Sequence, residues 1–285
     1  MKLFKLVLIL ILLLFANQVS FSQNRIREII DLFGQTAYAY FLSASRPAYG
    51  VSAYVTEKGK LEISTGIAFN DEIFEVPFGL SYGLARNLEL STGISAYTQT
   101  YKFSGEKVGG VGDSYFAAKF KFQESENFIH AIQGLIKIPT ASKEQQLGTG
   151  RADFYFGIAQ AFYKKRFGYD LSVELNLLHR RDYPQTRQYL PYFENIIDSL
   201  KKAYNYNYET EFVVSGGPSY DISDNFSAYT GVSFSRNLKL DYNSTQIYGG
   251  FGILASNNVI LGVGVSYGLD KTGSWLISSN FIISL

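Results

Sequence analysis

Every second residue from Val76 to Leu84 is apolar, with Pro77, Gly79, Ser81 and Gly83 between them. After Ala85-Arg86-Asn87 the alternation restarts. Leu88, Leu90, Thr92 and Ile94 share one face, and Glu89, Ser91, Gly93 and Ser95 share the other. A period of two marks a strand, because successive side chains point to opposite faces of a sheet. An inward apolar face would make this a soluble sandwich. An outward one would make it a membrane barrel whose small polar face lines a lumen.

The pattern recurs along the chain. Runs at 60–69, 73–84, 88–100, 112–123, 128–138 and 152–163 are followed by runs at 167–178, 208–221, 226–235, 245–255, 259–268 and 274–285. These predict about twelve strands, each near the roughly 9–11 residues that a tilted membrane strand needs, and an even number suits a single-chain bacterial barrel. The connections sort by parity. Those at 85–87, 124–127, 164–166, 223–225 and 256–258 are short. The alternate ones, near 101–111, 139–151, 179–207, 236–244 and 269–273, are mostly longer; only the first, around Asn70-Asp71-Glu72, is short. Membrane barrels have short periplasmic turns and longer outer loops.

The two faces differ in kind. One is rich in Phe, Tyr, Leu, Ile and Val and nearly free of charge. The other holds Gly, Ser, Ala and carboxylates. A soluble core would not accept Glu62, Glu75, Glu89, Asp153, Glu174, Glu209 and Glu211, since buried unpaired charges cost several kcal/mol each. A narrow wet lumen explains both the charge and the small residues. The chain therefore reads as all-β, a transmembrane antiparallel β-barrel of about twelve strands.

Composition agrees: 22 Tyr, 23 Phe and 26 Gly stand against one Met. Aromatic residues suit strands and membrane interfaces. Lys2 and Lys5 precede an apolar run from Leu6 to Phe15 and a polar stretch ending at Ser22-Gln23. This predicts a cleaved signal peptide over 1–22. Without Lys2 and Lys5, 24 of the 26 basic residues remain against 25 acidic ones, a net charge of −1. No basic excess points to a nucleic-acid partner. Cysteine is absent, so there is no disulfide framework and no thiol chemistry. Residues 23–56 are expected to form a periplasmic or plug segment, and 57–285 the barrel in the outer membrane.

Several stretches together resemble a known family, the outer-membrane barrels named for the meta-pathway of phenol degradation. They are SRP at 45–47, EKGKLEISTGIAF at 57–69, VPFGLSYGLARNLELSTGIS at 76–95, GVGDSYFAAKFKF at 110–122, IKIPTAS at 136–142 and GTGRADFYFGIAQAF at 148–162. The resemblance implies passage of small molecules, often hydrophobic or aromatic.

Alternation places Glu62, Glu75, Glu89, Asp113, Asp153, Asp170, Glu174, Glu209 and Glu211 on the lumen side, with Lys119, Lys121 and Lys137 as the basic members. Acid outweighs base. Rings of like charge set pore selectivity, so the expectation is a mildly cation-preferring interior. The alternative is that these groups form cross-strand ion pairs that plug a narrow barrel. Residues 186–207 carry a helical pattern in the longest connection, read either as a lid or as a cap on the rim; residues 25–33 read as a short helix or a frayed tail. Phe69, Tyr101, Tyr163, Phe167, Tyr220, Phe226 and Tyr267 read as an interface girdle. Neither His130 nor His179 has the Ser neighbour that a barrel phospholipase would need, so no catalytic, cofactor or metal residue is expected. The expected partners are outer-membrane lipid, small-molecule solutes, and the assembly machinery, which reads the C-terminal strand.

Overall fold

The computed structural model describes residues 51–71, 73–101, 106–142, 145, 147–148, 150–179, 208–238, 242–269 and 275–285. The expected signal peptide, the 25–33 helix and the 186–207 helix lie outside the described residues.

Thirteen strands are present among the described residues: β1 Leu61–Phe69, β2 Phe74–Ala85, β3 Leu88–Tyr101, β4 Lys107–Gly110, β5 Ser114–Glu124, β6 Phe128–Ile138 and β7 Asp153–Lys164. They continue as β8 Phe167–His179, β9 Tyr208–Ser223, β10 Phe226–Asn237, β11 Tyr242–Ser256, β12 Val259–Gly268 and β13 Trp275–Ser284. All pairings between them are antiparallel, and each strand follows its sequence neighbour around the sheet. β1 also pairs with β13, from Glu62↔Ser284 to Phe69↔Ile277, so the sheet closes. Leu61 and Leu285 seal the lower seam by exchanging backbone hydrogen bonds of 3.2 and 2.8 Å. Closure leaves no edge, as a hydrocarbon surrounding demands.

The count of thirteen reduces to twelve positions in the wall. β4 and β5 both pair with β3 and keep one register: Thr98↔Gly110 continues the ladder that runs through Ile94↔Ser114. They are one strand, broken at Val111-Gly112-Asp113. The break sits beside a bulge in the β2–β3 ladder between Val76 and Pro77. Proline supplies no ladder donor, so this is where β2 can best accept an interruption.

The turn between β7 and β8 shows how tightly one end is drawn. Only Lys165 and Arg166 separate those strands, and Lys165 takes a φ of 57°. The other short turns, such as Arg86-Asn87 and Asp224-Asn225, lie at the same end, which is therefore the periplasmic one.

The outer face settles the direction of the alternation. Phe116, Phe156 and Ile158 are 52%, 54% and 58% exposed, and Leu90, Val173, Leu175 and Val263 are exposed beside them. Left in water, each would forgo about 1.5–3 kcal/mol of burial. Lipid removes that cost. Phe69 and Trp275 meet edge to face at 6.1 Å near the outer end, where Trp275 Nε1 donates to Asp71. That is the expected setting for an interfacial aromatic belt. Tyr163 corrects the girdle expected above. It lies on the inner face and donates from its hydroxyl to Asp221 at 3.2 Å.

Candidate functional site inside the barrel

The inner face is where polar chemistry gathers. Buried polar residues include Glu75, Glu89, Asp113, Lys119, Lys137, Asp153 and Glu174, all on or next to strands from β2 to β8. Asp170, on β8, and Glu211, on β9, share this inward parity and are partly covered. Glu62 lies toward the periplasmic end of β1, opposite Ser81 and Ser284. Lys121 sits near the same rim, paired with Glu124 at 2.7 Å. The backbone of Glu209 belongs to β9, but its side chain lies outside the described residues.

Register brings several of these groups together. Glu89 and Lys119 are direct cross-strand partners, with Nζ 3.5 Å from Oε1. Lys137 lies directly across from Asp153 and forms an ion pair with it; a second carboxylate, Asp113, stands 3.3 Å from the same Nζ. Asp113 is also tied to the outer loop, accepting from the Ala141 amide at 3.0 Å. On β2, Glu75 accepts a hydrogen bond from Ser95. Both lysines are 1% exposed, so neither leaves its carboxylates for water. A buried pair gains little over an apolar one, but losing one partner costs about 3–5 kcal/mol.

Residues 51–57 supply what strand periodicity does not show. Val51, Ser52, Ala53, Tyr54, Val55 and Thr56 are all buried. The segment rises from the periplasmic rim into the barrel and is held by the Glu89–Lys119 pair. Lys119 Nζ donates to the Tyr54 carbonyl at 2.7 Å. Thr56 donates to Glu89 Oε2 twice, from its amide at 2.8 Å and its hydroxyl at 3.1 Å. Val51, Ala53 and Tyr54 pack on Tyr115, Ala117, Ala131, Leu135, Tyr155 and Ala159 from β5 to β7, forming an apolar cluster within the lumen.

Two glycines make room for it. A Cβ on Gly83 would run into the Glu57 carbonyl oxygen, and one on Gly157 would lie 2.7 Å from Val51 Cγ2. Glu57 then turns through Gly59, at φ 82°, into β1, where the Gly59 amide donates to the Gly83 carbonyl at 2.7 Å.

The rest of the inner wall is different. Ser227, Ser233, Ser235, Ser244, Ser266 and Ser278 are buried along β10 to β13, with Gly262 and Gly264 among them. Tyr229 and Tyr248 also face inward here. The Tyr229 hydroxyl lies where a Cβ on Gly250 or Gly264 would be, at 2.6 and 2.5 Å, so the phenol rests along the wall.

His130 is on the outward face, stacked at 5.9 Å on Phe122 and 6.4 Å on Phe128. The side chain of His179 lies outside the described residues. Among the described residues there is no group of three or more His, Cys, Asp or Glu placed to hold a metal ion.

Known proteins share this architecture. A family model described as "Putative MetA-pathway of phenol degradation" matches residues 44–282. The COG4313 outer membrane channel from Pseudomonas putida F1 superposes with a TM-score of 0.60 at 11% identity, covering 85% of this chain and 99% of that one. KdgM porin follows with a TM-score of 0.54 at 8% identity over 79% of this chain and 99% of that one. NanC porin has a TM-score of 0.52 at 9% identity over 79% and 98%. At such identities the likeness shows a shared fold, that of outer-membrane channel barrels. No curated protein matches the chain.

Proposed function

Because this chain belongs to the MetA-pathway phenol-degradation family, we propose that it is an outer-membrane channel for passive passage of small molecules, hydrophobic and aromatic ones included. One observation carries the reading: among the described residues the inner charge lies from β1 to β9, whereas β10 to β13 present mainly small side chains. Solute would pass along this second side, driven by its own gradient. The channel needs no cofactor and performs no chemistry.

The inner charge supports a preference for cations. Lys119 and Lys137 are each engaged with carboxylates, and Glu75, Asp170 and Glu174 add further acid to the same wall. Fixed charge of one sign in a low-dielectric wall raises the local concentration of the opposite ion. A specific observation favours a second reading, a closed barrel with a structural or partner-binding role. Residues 51–56 are buried within the barrel and narrow it.

Planar-bilayer recording on the mature chain under a salt gradient tests both. Discrete current steps and a cation-to-anion permeability ratio above one are expected. A ratio at or below one overturns the cation preference. Silence from a barrel shown to be folded by its heat-shifted gel mobility overturns the open channel in favour of the closed one. The remaining partners belong to this proposal too: the lipid of the outer membrane around the apolar belt, and the assembly machinery at β13.

A further inference from the structure

On the lipid-facing side of the wall, several polar side chains are satisfied by the sheet itself. The hydroxyls of Thr65, Thr92 and Thr230 donate to the backbone carbonyls of Pro77, Tyr115 and Tyr248 at 2.9, 3.0 and 3.0 Å. His130 on β6 and Gln160 on β7 differ. They stand directly across from each other on this face, and among the described residues neither side chain has a hydrogen-bond partner. The next row toward the periplasm is Phe128 against Phe162, with ring centroids 4.9 Å apart, and the next row toward the midplane is Ile132 against Ile158. The polar pair is thus set inside the apolar belt, where an unmet donor is costly.

We propose that His130 and Gln160, with Lys164 and Lys165 at the rim below them, form a docking site for one anionic glycerophospholipid of the periplasmic leaflet. The site is the same whether the lumen is open or closed. Two residues along a tilted strand rise about 5 Å, so the pair lies about that far above the first residue of β6, close to the level where acyl esters border the hydrocarbon. An ester carbonyl can only accept. A neutral imidazole offers one N–H and a glutamine amide offers two, so the two chemistries are complementary. The acyl chains then lie along Ile132, Ile158 and Leu171, which are 45%, 58% and 37% exposed.

Charge selects the headgroup. β7 runs from Gln160 down to Lys164, and the turn continues as Lys165-Arg166. Lys164 and Lys165 are exposed, and neither forms an ion pair among the described residues. Arg166 lies 3.9 Å from Asp224 and is not counted in the site. Lys164 shares the outward parity of Gln160 and Phe162. About 13 Å of strand separates Lys164 from Gln160, an interval into which both long side chains can lean from opposite ends, toward a phosphate and its acyl esters. Phe122 and Phe128 stack on His130 at 5.9 and 6.4 Å and hold its ring in place. A second copy of this chain suits the face less well. A two-fold interface sets the same patch against itself, so these lysines would meet like charges.

The test is native mass spectrometry of the full mature barrel, released from detergent after equilibration with one lipid at a time. The lipids are phosphatidylglycerol, its diether analogue without ester carbonyls, and phosphatidylcholine with the same acyl chains. Phosphatidylglycerol should be retained about fivefold or more over phosphatidylcholine, the scale set by one or two lysines near a membrane surface. The diether form should be retained roughly three- to tenfold less than the ester form. Lys164→Ser combined with Lys165→Ser should abolish the headgroup preference. His130→Leu combined with Gln160→Leu should abolish the ester preference and leave the headgroup preference in place. Val263→Leu, outward on β12, should change neither. The ether comparison needs no variant, so the test stays decisive if a variant does not fold. Equal retention of phosphatidylglycerol and phosphatidylcholine, or of ester and ether, by the wild-type chain overturns the site. So does either preference surviving in the folded variant meant to remove it. A wild-type dimer that disappears in the His130→Leu, Gln160→Leu chain puts a second copy on this face and overturns the lipid.

Discussion

From β2 to β8 the inner wall is charged and packed against residues 51–57; from β10 to β13 its described inner positions carry no charged side chain. The first half resembles a protein interior. It has an apolar cluster, buried ion pairs and a chain segment fixed by named hydrogen bonds. The second half is a lining of Ser and Gly, where even the tyrosines rest along the wall. The difference teaches that one closed sheet can be a core on one side and a conduit on the other. Alternation sets inside against outside. What the inward residues do depends on what they face across the lumen.

The sharpest way to break the contrast is to remove a buried lysine. Lys137→Met strands both Asp113 and Asp153, and should cost about 3–5 kcal/mol, read from urea unfolding followed by the fluorescence of the single tryptophan, Trp275. Lys119→Met should cost nearly as much by leaving Glu89 unpaired. Adding Glu89→Gln should return part of that loss, with a coupling of about 1–3 kcal/mol in a double-mutant cycle. Simple additivity would mean that the pair does not act as a unit.

A smaller effect is expected where the segment meets the wall. Gly83→Val pushes its side chain into the backbone of Glu57 and should destabilise the barrel by about 1–3 kcal/mol while raising single-channel conductance, because residues 51–57 must move off β2. The opposite half should respond the other way. The Ser233 hydroxyl makes no hydrogen bond within the fold. Ser233→Val should therefore change stability by under about 1 kcal/mol, yet lower conductance by narrowing the small-residue side. Least of all, Arg166→Ala should shift stability by under about 0.5 kcal/mol, since that 3.9 Å pair with Asp224 is at the rim and Arg166 is 44% exposed.

The strands were legible because two physical signals coincided: the period of two, and turns too short to allow anything but a hairpin. Expected and observed strands agree within a few residues, and 88–100 against Leu88–Tyr101 is typical. Cross-strand ion pairs were weighed as the alternative, but which residues pair was not legible. Glu89 meets Lys119, and Lys137 meets Asp153, across the longer outer connections, where loop length does not fix register. Residues 23–56 were expected as a periplasmic or plug segment, but the partners of residues 51–57 were not legible, for another reason. An extended segment that packs inside a barrel carries no periodicity of its own to separate it from a strand or a tail. Tyr163 misled because aromatic type near a strand end suggested the interface, whereas parity with Asp153 and Tyr155 places it inside.

The seam between β1 and β13 has a consequence for how the molecule comes into being. Most of the other strand pairings join neighbours in sequence and can zip from a nearby turn. This one joins the two ends of the barrel domain, and loop-closure entropy makes it the most expensive pairing to begin. During assembly the chain is therefore a curling ribbon for most of its course and a ring only at the final step. Residues 51–57 lie immediately upstream of the strand that makes the last junction. The ribbon must curl around its own leading end, so the order of events builds the narrowing of the lumen into the act of closure.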